Sequence, residues 1–147
     1  MNKDPAKNYR QVQIETATQE QLILLMYEHA VRSVRSAREA LPTKKYDTVS
    51  NHIIKAQDII TELMVSLKME AGPIAQNLYR LYDYMNRRLI EANMKKNVDA
   101  LVEVEKMLSA LLSTWDEAIK KMPAQAERST QSGPAQRPAM GGFSISG

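Results

Sequence analysis

Catalysis or metal binding needs titratable or ligating side chains gathered on one face, and this sequence offers few. Its 147 residues include two histidines, His29 and His52, and no cysteine. The missing thiols remove disulfide scaffolds, Cys-ligated zinc, iron–sulfur clusters and thiol catalysis together, and they fit a reducing compartment. A di-iron site in a helix bundle needs a Glu three residues before an inward His on two helices. Met26 and Val49 occupy those positions instead. Glu28 directly precedes His29, which turns the two side chains about 100° apart on a helix. The sequence has no phosphate-binding glycine loop, no dinucleotide fingerprint and no nucleophile elbow. The reading is therefore a non-enzyme with no metal and no cofactor.

Charge is the next candidate. Arg32, Arg35, Arg38, Lys44 and Lys45 form the one basic concentration. It reads as a solvated face, with Glu28–Arg32 as an i,i+4 pair worth a few tenths of a kcal/mol. A docking face for an acidic partner is the alternative. Twenty basic against 17 acidic residues leave a net charge of +3, too even for nucleic-acid binding, and no aromatic stacking platform lies nearby. No apolar run approaches the roughly 18–20 residues of a membrane span. The start Met1-Asn2-Lys3-Asp4-Pro5 lacks a signal-peptide core. We expect a cytoplasmic protein with no membrane insertion.

The elements that would position any site follow from the punctuation. Prolines stand at 5, 42, 73, 123, 134 and 138, and glycines at 72, 133, 141, 142 and 147. Both residue types interrupt helices, so the chain is divided into long unbroken segments rich in helix formers. Apolar residues recur within them at steps of three and four. The sets are Ile23, Tyr27, Ala30, Val34, Ala37, Leu41; then Tyr46, Val49, Ile53, Ala56, Ile60, Leu63, Leu67; and Leu101, Val104, Leu108, Leu111, Trp115, Ala118, Met122. A third segment reads Ile74, Leu78, Leu81, Met85, Leu89, Ala92, with one step of four too many. Each set lies on one side of an α-helix.

Thr18 with Gln21 reads as a capping box, Gly72-Pro73 as a helix stop and start, and Asn97 as a cap with Asp99 against the dipole. The spacing predicts helices over 18–41, 44–70, 74–93 and 98–122. Short connections make neighbours antiparallel, so the expected fold is all-α, an up-down four-helix bundle. The expected organisation is an N-terminal segment 1–17, a bundle 18–122 and a tail 123–147. The tail holds three of the six prolines and four of the five glycines, and its few apolar groups predict disorder. Tyr9, Val12 and Ile14 stand out in the polar N-terminal segment as residues that dock on something.

Many apolar residues fall off these seams: Ile54, Ile59 and Met64; Tyr79, Tyr82, Tyr84 and Ile90; Val102, Met107, Leu112 and Ile119. They either widen the core or line grooves between helices that suit apolar peptide segments. Nine methionines against one phenylalanine point weakly to grooves, since methionine also fills cores.

The block Tyr9-Arg10-Gln11-Val12-Gln13-Ile14-Glu15-Thr16-Ala17-Thr18, continuing through Leu22-Ile23-Leu24-Leu25-Met26-Tyr27-Glu28-His29-Ala30, resembles the opening of the flagellin-specific export chaperones, the FliS family. Lys55 to Leu63, Leu78 to Met85 with Leu89 to Asn93, and Leu108 to Trp115 resemble further family blocks, so the likeness runs in register over residues 9–120. Met26 stands where leucine is usual, His29 replaces a small glycine, and Gln19 sits where proline often begins the helix. The resemblance implies a cytoplasmic chaperone. It would bind the disordered C-terminal region of flagellin, prevent premature polymerisation and deliver flagellin to the flagellar type III secretion apparatus, with export-gate components as further partners. Ile54, Ile59, Tyr79, Tyr82, Leu112 and Ile119 are the expected flagellin groove. Tyr9, Val12 and Ile14 match the family's N-terminal segment and are the expected groove cap. A non-catalytic helix-bundle adaptor with a different partner is the alternative.

Overall fold

The first helix begins where the capping box requires. In the computed structural model, which describes residues 17–122, the Gln21 amide donates to Thr18 Oγ1 at 3.2 Å and the Thr18 amide to Gln21 Oε1 at 3.1 Å. Two of the free amides of the first turn are thereby satisfied. Helix α1 runs Gln19–Ala40 and passes into a 3₁₀ turn, Leu41–Thr43, with Pro42 at its start. Lys44 is left-handed at φ 61°, and α2 follows over Tyr46–Ser66.

Helix α2 stops short of the expected boundary at 70. Leu67 is extended at φ −73° and ψ 141°, and a second 3₁₀ turn, Met69–Ala71, leads to Gly72. At φ 112° and ψ −161°, Gly72 occupies a region closed to residues with a Cβ. Pro73 then starts α3, Pro73–Lys95, in the first turn where its missing N–H costs no hydrogen bond. Lys96, left-handed at φ 50°, turns the chain, and Asn97 Oδ1 accepts from the Asp99 amide at 2.9 Å to cap α4, Val98–Lys120. Tyr9, Val12 and Ile14 and the tail 123–147 lie outside the described residues.

The four helices form a ring in which α1 packs on α2 and α4, and α3 packs on the same two from the far side. Cross-links fix antiparallel registers. Trp115 Nε1 donates to the Glu20 carbonyl at 2.9 Å, and Arg38 Nε reaches Glu105 at 2.6 Å, so α4 runs against α1. Between α2 and α3, the Ser50 hydroxyl donates to Asn93 Oδ1 at 2.7 Å and Asn86 Nδ2 to Thr61 Oγ1 at 3.3 Å. The expected all-α, up-down bundle is the fold of the described residues.

The seams of α1, α2 and α4 run through the core, with Val34, Ile53, Ile60, Leu101 and Leu108 fully buried, except that Tyr46, expected to open the α2 seam, is 46% exposed in the first turn of its helix. Each such side chain stabilises the fold by about 1.5–3 kcal/mol relative to exposure. Helix α3 departs from its reading. Its inward residues are Ala75, Leu78, Tyr82, Met85, Leu89 and Ala92, an unbroken alternation of three and four. Ile74 and Leu81, expected in the core, are 59% and 38% exposed. Tyr82, expected in the partner groove, is 2% exposed and belongs to the core. Its hydroxyl is 2.5 Å from that of Tyr27, which satisfies two polar atoms that burial would otherwise strand. Burial, opposed by this contact, pushes the Tyr27 hydroxyl above its ordinary pKa, and burial foremost does the same at Tyr82.

Candidate functional site

A helix in a ring of four presents three stripes: one inward and one toward each neighbour. The α2 positions one residue past its core set are Ser50, Ile54, Gln57, Thr61 and Met64. Their hydrogen bonds to Asn93 and Asn86 place this stripe against α3. The matching α3 stripe is Gln76, Tyr79, Asp83, Asn86, Ile90 and Asn93.

The register set by Ser50–Asn93 and Thr61–Asn86 brings Ile54 and Ile90 to the same level on this seam. They are 47% and 48% exposed, and Tyr79, 42% exposed, lies further along it. Polar links hold both ends. Lys96 Nζ donates to Asn93 Oδ1 at 2.7 Å and sits 5.6 Å from the centre of the Tyr46 ring. Asn86 reaches Thr61 and the Met64 sulfur. What remains between the two links is the exposed pair Ile54 and Ile90 beside Gln57, with Tyr79 beyond the Asn86 link, and these apolar groups suit the side chains of an incoming segment.

The expected groove residues thus separate. Ile54 and Tyr79 share the α2–α3 seam. Ile59 packs on the core from the α2 flank that faces α1, and Leu112 packs on it from the α4 flank that carries Glu105 toward α1. Ile119 is half-buried near the end of α4, and Tyr82 is internal. Ile90, Leu81 and Ile74 are exposed apolar residues outside the expected groove set. The alternating phase of α3 was the signal that would have placed Ile74 and Leu81 outside.

The basic stripe is partly neutralised. Arg35 and Arg38 both bind Glu105, at 2.9 and 2.6 Å. The Arg38 hydrogen bond foremost holds the Glu105 carboxyl below the usual range, against an opposing effect of burial. The expected Glu28–Arg32 pair is not among the ion pairs of the described residues. On the opposite flank of α4, Glu103 accepts from the Tyr84 hydroxyl at 2.5 Å and from Arg88 Nε at 2.7 Å. Those bonds, the Tyr84 one first, lower the Glu103 pKa.

No group of three or more His, Asp or Glu among the described residues could hold a metal ion. No described helix is long and apolar enough to cross a membrane.

Comparison with known proteins adds a family. A family model described as flagellar protein FliS matches residues 1–122. A Bacillus subtilis protein named flagellar secretion chaperone FliS is 32% identical over 130 residues, covering 88% of this chain and 93% of its own. The Salmonella typhimurium protein of that name is 35% identical over 128 residues, 83% of this chain and 95% of its own. Flagellar secretion chaperone FliSB of Pseudomonas aeruginosa is 36% identical over 115 residues, 75% of this chain and 91% of its own.

Proposed function

This chain belongs to the flagellar protein FliS family, and on that premise we propose that it is a cytoplasmic export chaperone for flagellin. Chaperones act by binding, and the chain is not an enzyme. In this reading it holds the disordered C-terminal region of flagellin, prevents premature polymerisation and delivers the client to the flagellar type III secretion apparatus, where export-gate components meet the complex.

The observation that carries this reading is the exposure of three large apolar residues, Ile54, Ile90 and Tyr79, on the one α2–α3 seam. A disordered client loses conformational entropy on binding, so its affinity must come from extended apolar contact spread over a rigid surface. A bundle with a packed core and apolar residues left outside it supplies that surface. Ile59, Leu112 and Ile119 belong to the contact only where the client continues round the bundle onto the flanks of α1. Tyr9, Val12 and Ile14 cover apolar surface while the client is absent and yield or join the contact when it arrives.

Two measurements test the proposal. The purified chain should suppress polymerisation of flagellin near equimolar ratio; undiminished polymerisation would reject it. Amide exchange at residues 9–17 should change on addition of flagellin, and identical protection in both states would remove the cap.

A further inference from the structure

The α3–α4 seam differs from the other faces of the bundle. At one end Glu103 joins it through Tyr84 and Arg88. Toward the start of α3 and the end of α4 the two flanks carry apolar and small residues instead. There the α3 flank offers Ile74 and Leu81, both exposed, and the α4 flank offers half-buried Met107 with exposed Ala110 and Thr114. Leu78 and Leu111, inward by their spacing, remain partly exposed between them. The register of Tyr84 and Arg88 on Glu103 sets Leu81 level with Met107. The result is an apolar groove, closed at one end and open at the other.

We infer that a segment of this same chain, Met140-Gly141-Gly142-Phe143-Ser144-Ile145, occupies that groove. The family model matches residues 1–122, and this segment lies beyond them. Between Pro123 and Ala139 the extension carries proline, glycine, Gln, Ser, Glu127, Arg128 and Arg137, with alanine as its only small apolar residue. Met140, Phe143 and Ile145 are the only large apolar residues after Met122, and Phe143 is the one phenylalanine of the chain. No charge lies between Pro138 and Gly147, which suits an apolar groove.

The geometry allows the return. Helix α4 ends at Lys120 beside the open end of the groove, and Met107 lies about 20 Å back along it. If it behaves as a random coil, a spacer of some 20 residues has a root-mean-square span of about 25 Å. Tethering then gives a local concentration on the order of 1 mM. A segment whose free affinity is of that order is bound roughly half the time. Helix α1 starts at this same end, where Trp115 holds the Glu20 carbonyl, and it packs on the flank of α4 away from α3. An occupied groove keeps Ile74, Leu81 and Met107 out of water between encounters with a partner.

The cysteine-free chain makes the test clean. A nitroxide on Ser146→Cys in the full chain should attenuate the amide signals of residues 74–81 and 107–114. Residues 22–26 and 59–66, at the same end on other faces, should keep theirs. Phe143→Ser with Ile145→Ser, changes that leave the bundle sequence intact, should abolish the selective loss. Attenuation spread evenly over that end of the bundle would overturn the inference, as would a loss that survives the double substitution. Attenuation appearing only when labelled and isotope-enriched copies are mixed would assign the contact to a second molecule and overturn it equally.

Discussion

Replacing Tyr27 with phenylalanine removes the partner of a buried hydroxyl. The Tyr82 oxygen, 2.5 Å from that of Tyr27, lies in a side chain only 2% exposed. Stranding a polar atom there costs about 1–3 kcal/mol. Tyr82→Phe should cost a similar amount, by leaving Tyr27 unpaired. The double variant removes both polar atoms while keeping two rings of nearly the same shape, so it should recover most of the loss. The coupling between the two sites should therefore be about 1–2 kcal/mol. Urea unfolding of the four proteins at neutral pH, with unchanged m-values, measures it directly. Alkaline pH supplies a second reading of the same pair. Both hydroxyls titrate above their ordinary pKa when folded, so their contribution is complete below about pH 10 and lost as the pH rises beyond it. The Tyr27→Phe, Tyr82→Phe double variant should lack that alkaline loss. A neutral single substitution, or a double variant whose cost is the sum of the singles, would refute the reasoning.

The other expectations concern separate parts of the bundle. Leu89→Ala, fully buried in α3, should cost about 2–5 kcal/mol, whereas Leu81→Ala, on the adjacent exposed stripe, should cost less than about 1 kcal/mol by chemical denaturation. Gly72→Ala meets nothing within 4 Å, yet its backbone at φ 112° should make it destabilising by about 1–3 kcal/mol through strain alone. Glu105 titrates below the usual carboxylate range when folded, so its contribution is present above about pH 4.3 and lost as the pH falls; Glu105→Gln should flatten the acid limb of a pH–melting curve.

Three of the four seams were legible because their alternation of three and four leaves one choice of face. Helix α3 was ambiguous at two adjacent apolar pairs, Ile74-Ala75 and Leu81-Tyr82. Ranking by hydrophobicity favours Ile74 and Leu81, but the fold buries Ala75 and Tyr82. The deciding interaction is the hydroxyl of Tyr27, 55 positions earlier in the chain, and no local pattern contains it. The regular stepping from Ala75 through Ala92 was the one local clue. The caps at Thr18 and Asn97 were readable because capping is a matter of a few adjacent residues. The end of α2 at Ser66 was not, since no glycine or proline follows until Gly72. Nor was the left-handed turn at Lys96, where Asn93 and Ser50 hold the ammonium. Ile54, Tyr79 and Ile90, proposed to lie against a partner, were visible in advance as apolar residues off the seams. Sorting Ile54 and Ile90 from Ile59 and Leu112 required knowing which flank faces which neighbour.

We propose above that the apolar residues of the α2–α3 seam bind the C-terminal region of flagellin. Calorimetric titration of the full chain with that segment, at two salt concentrations and several temperatures, tests it most directly. A client held on the α2–α3 seam should bind with an affinity of about 1 µM or tighter, a negative heat-capacity change and little dependence on salt, and Ile54→Asp should weaken it at least roughly tenfold. Absence of binding, a steep loss with salt, or full affinity in the Ile54→Asp protein would contradict it.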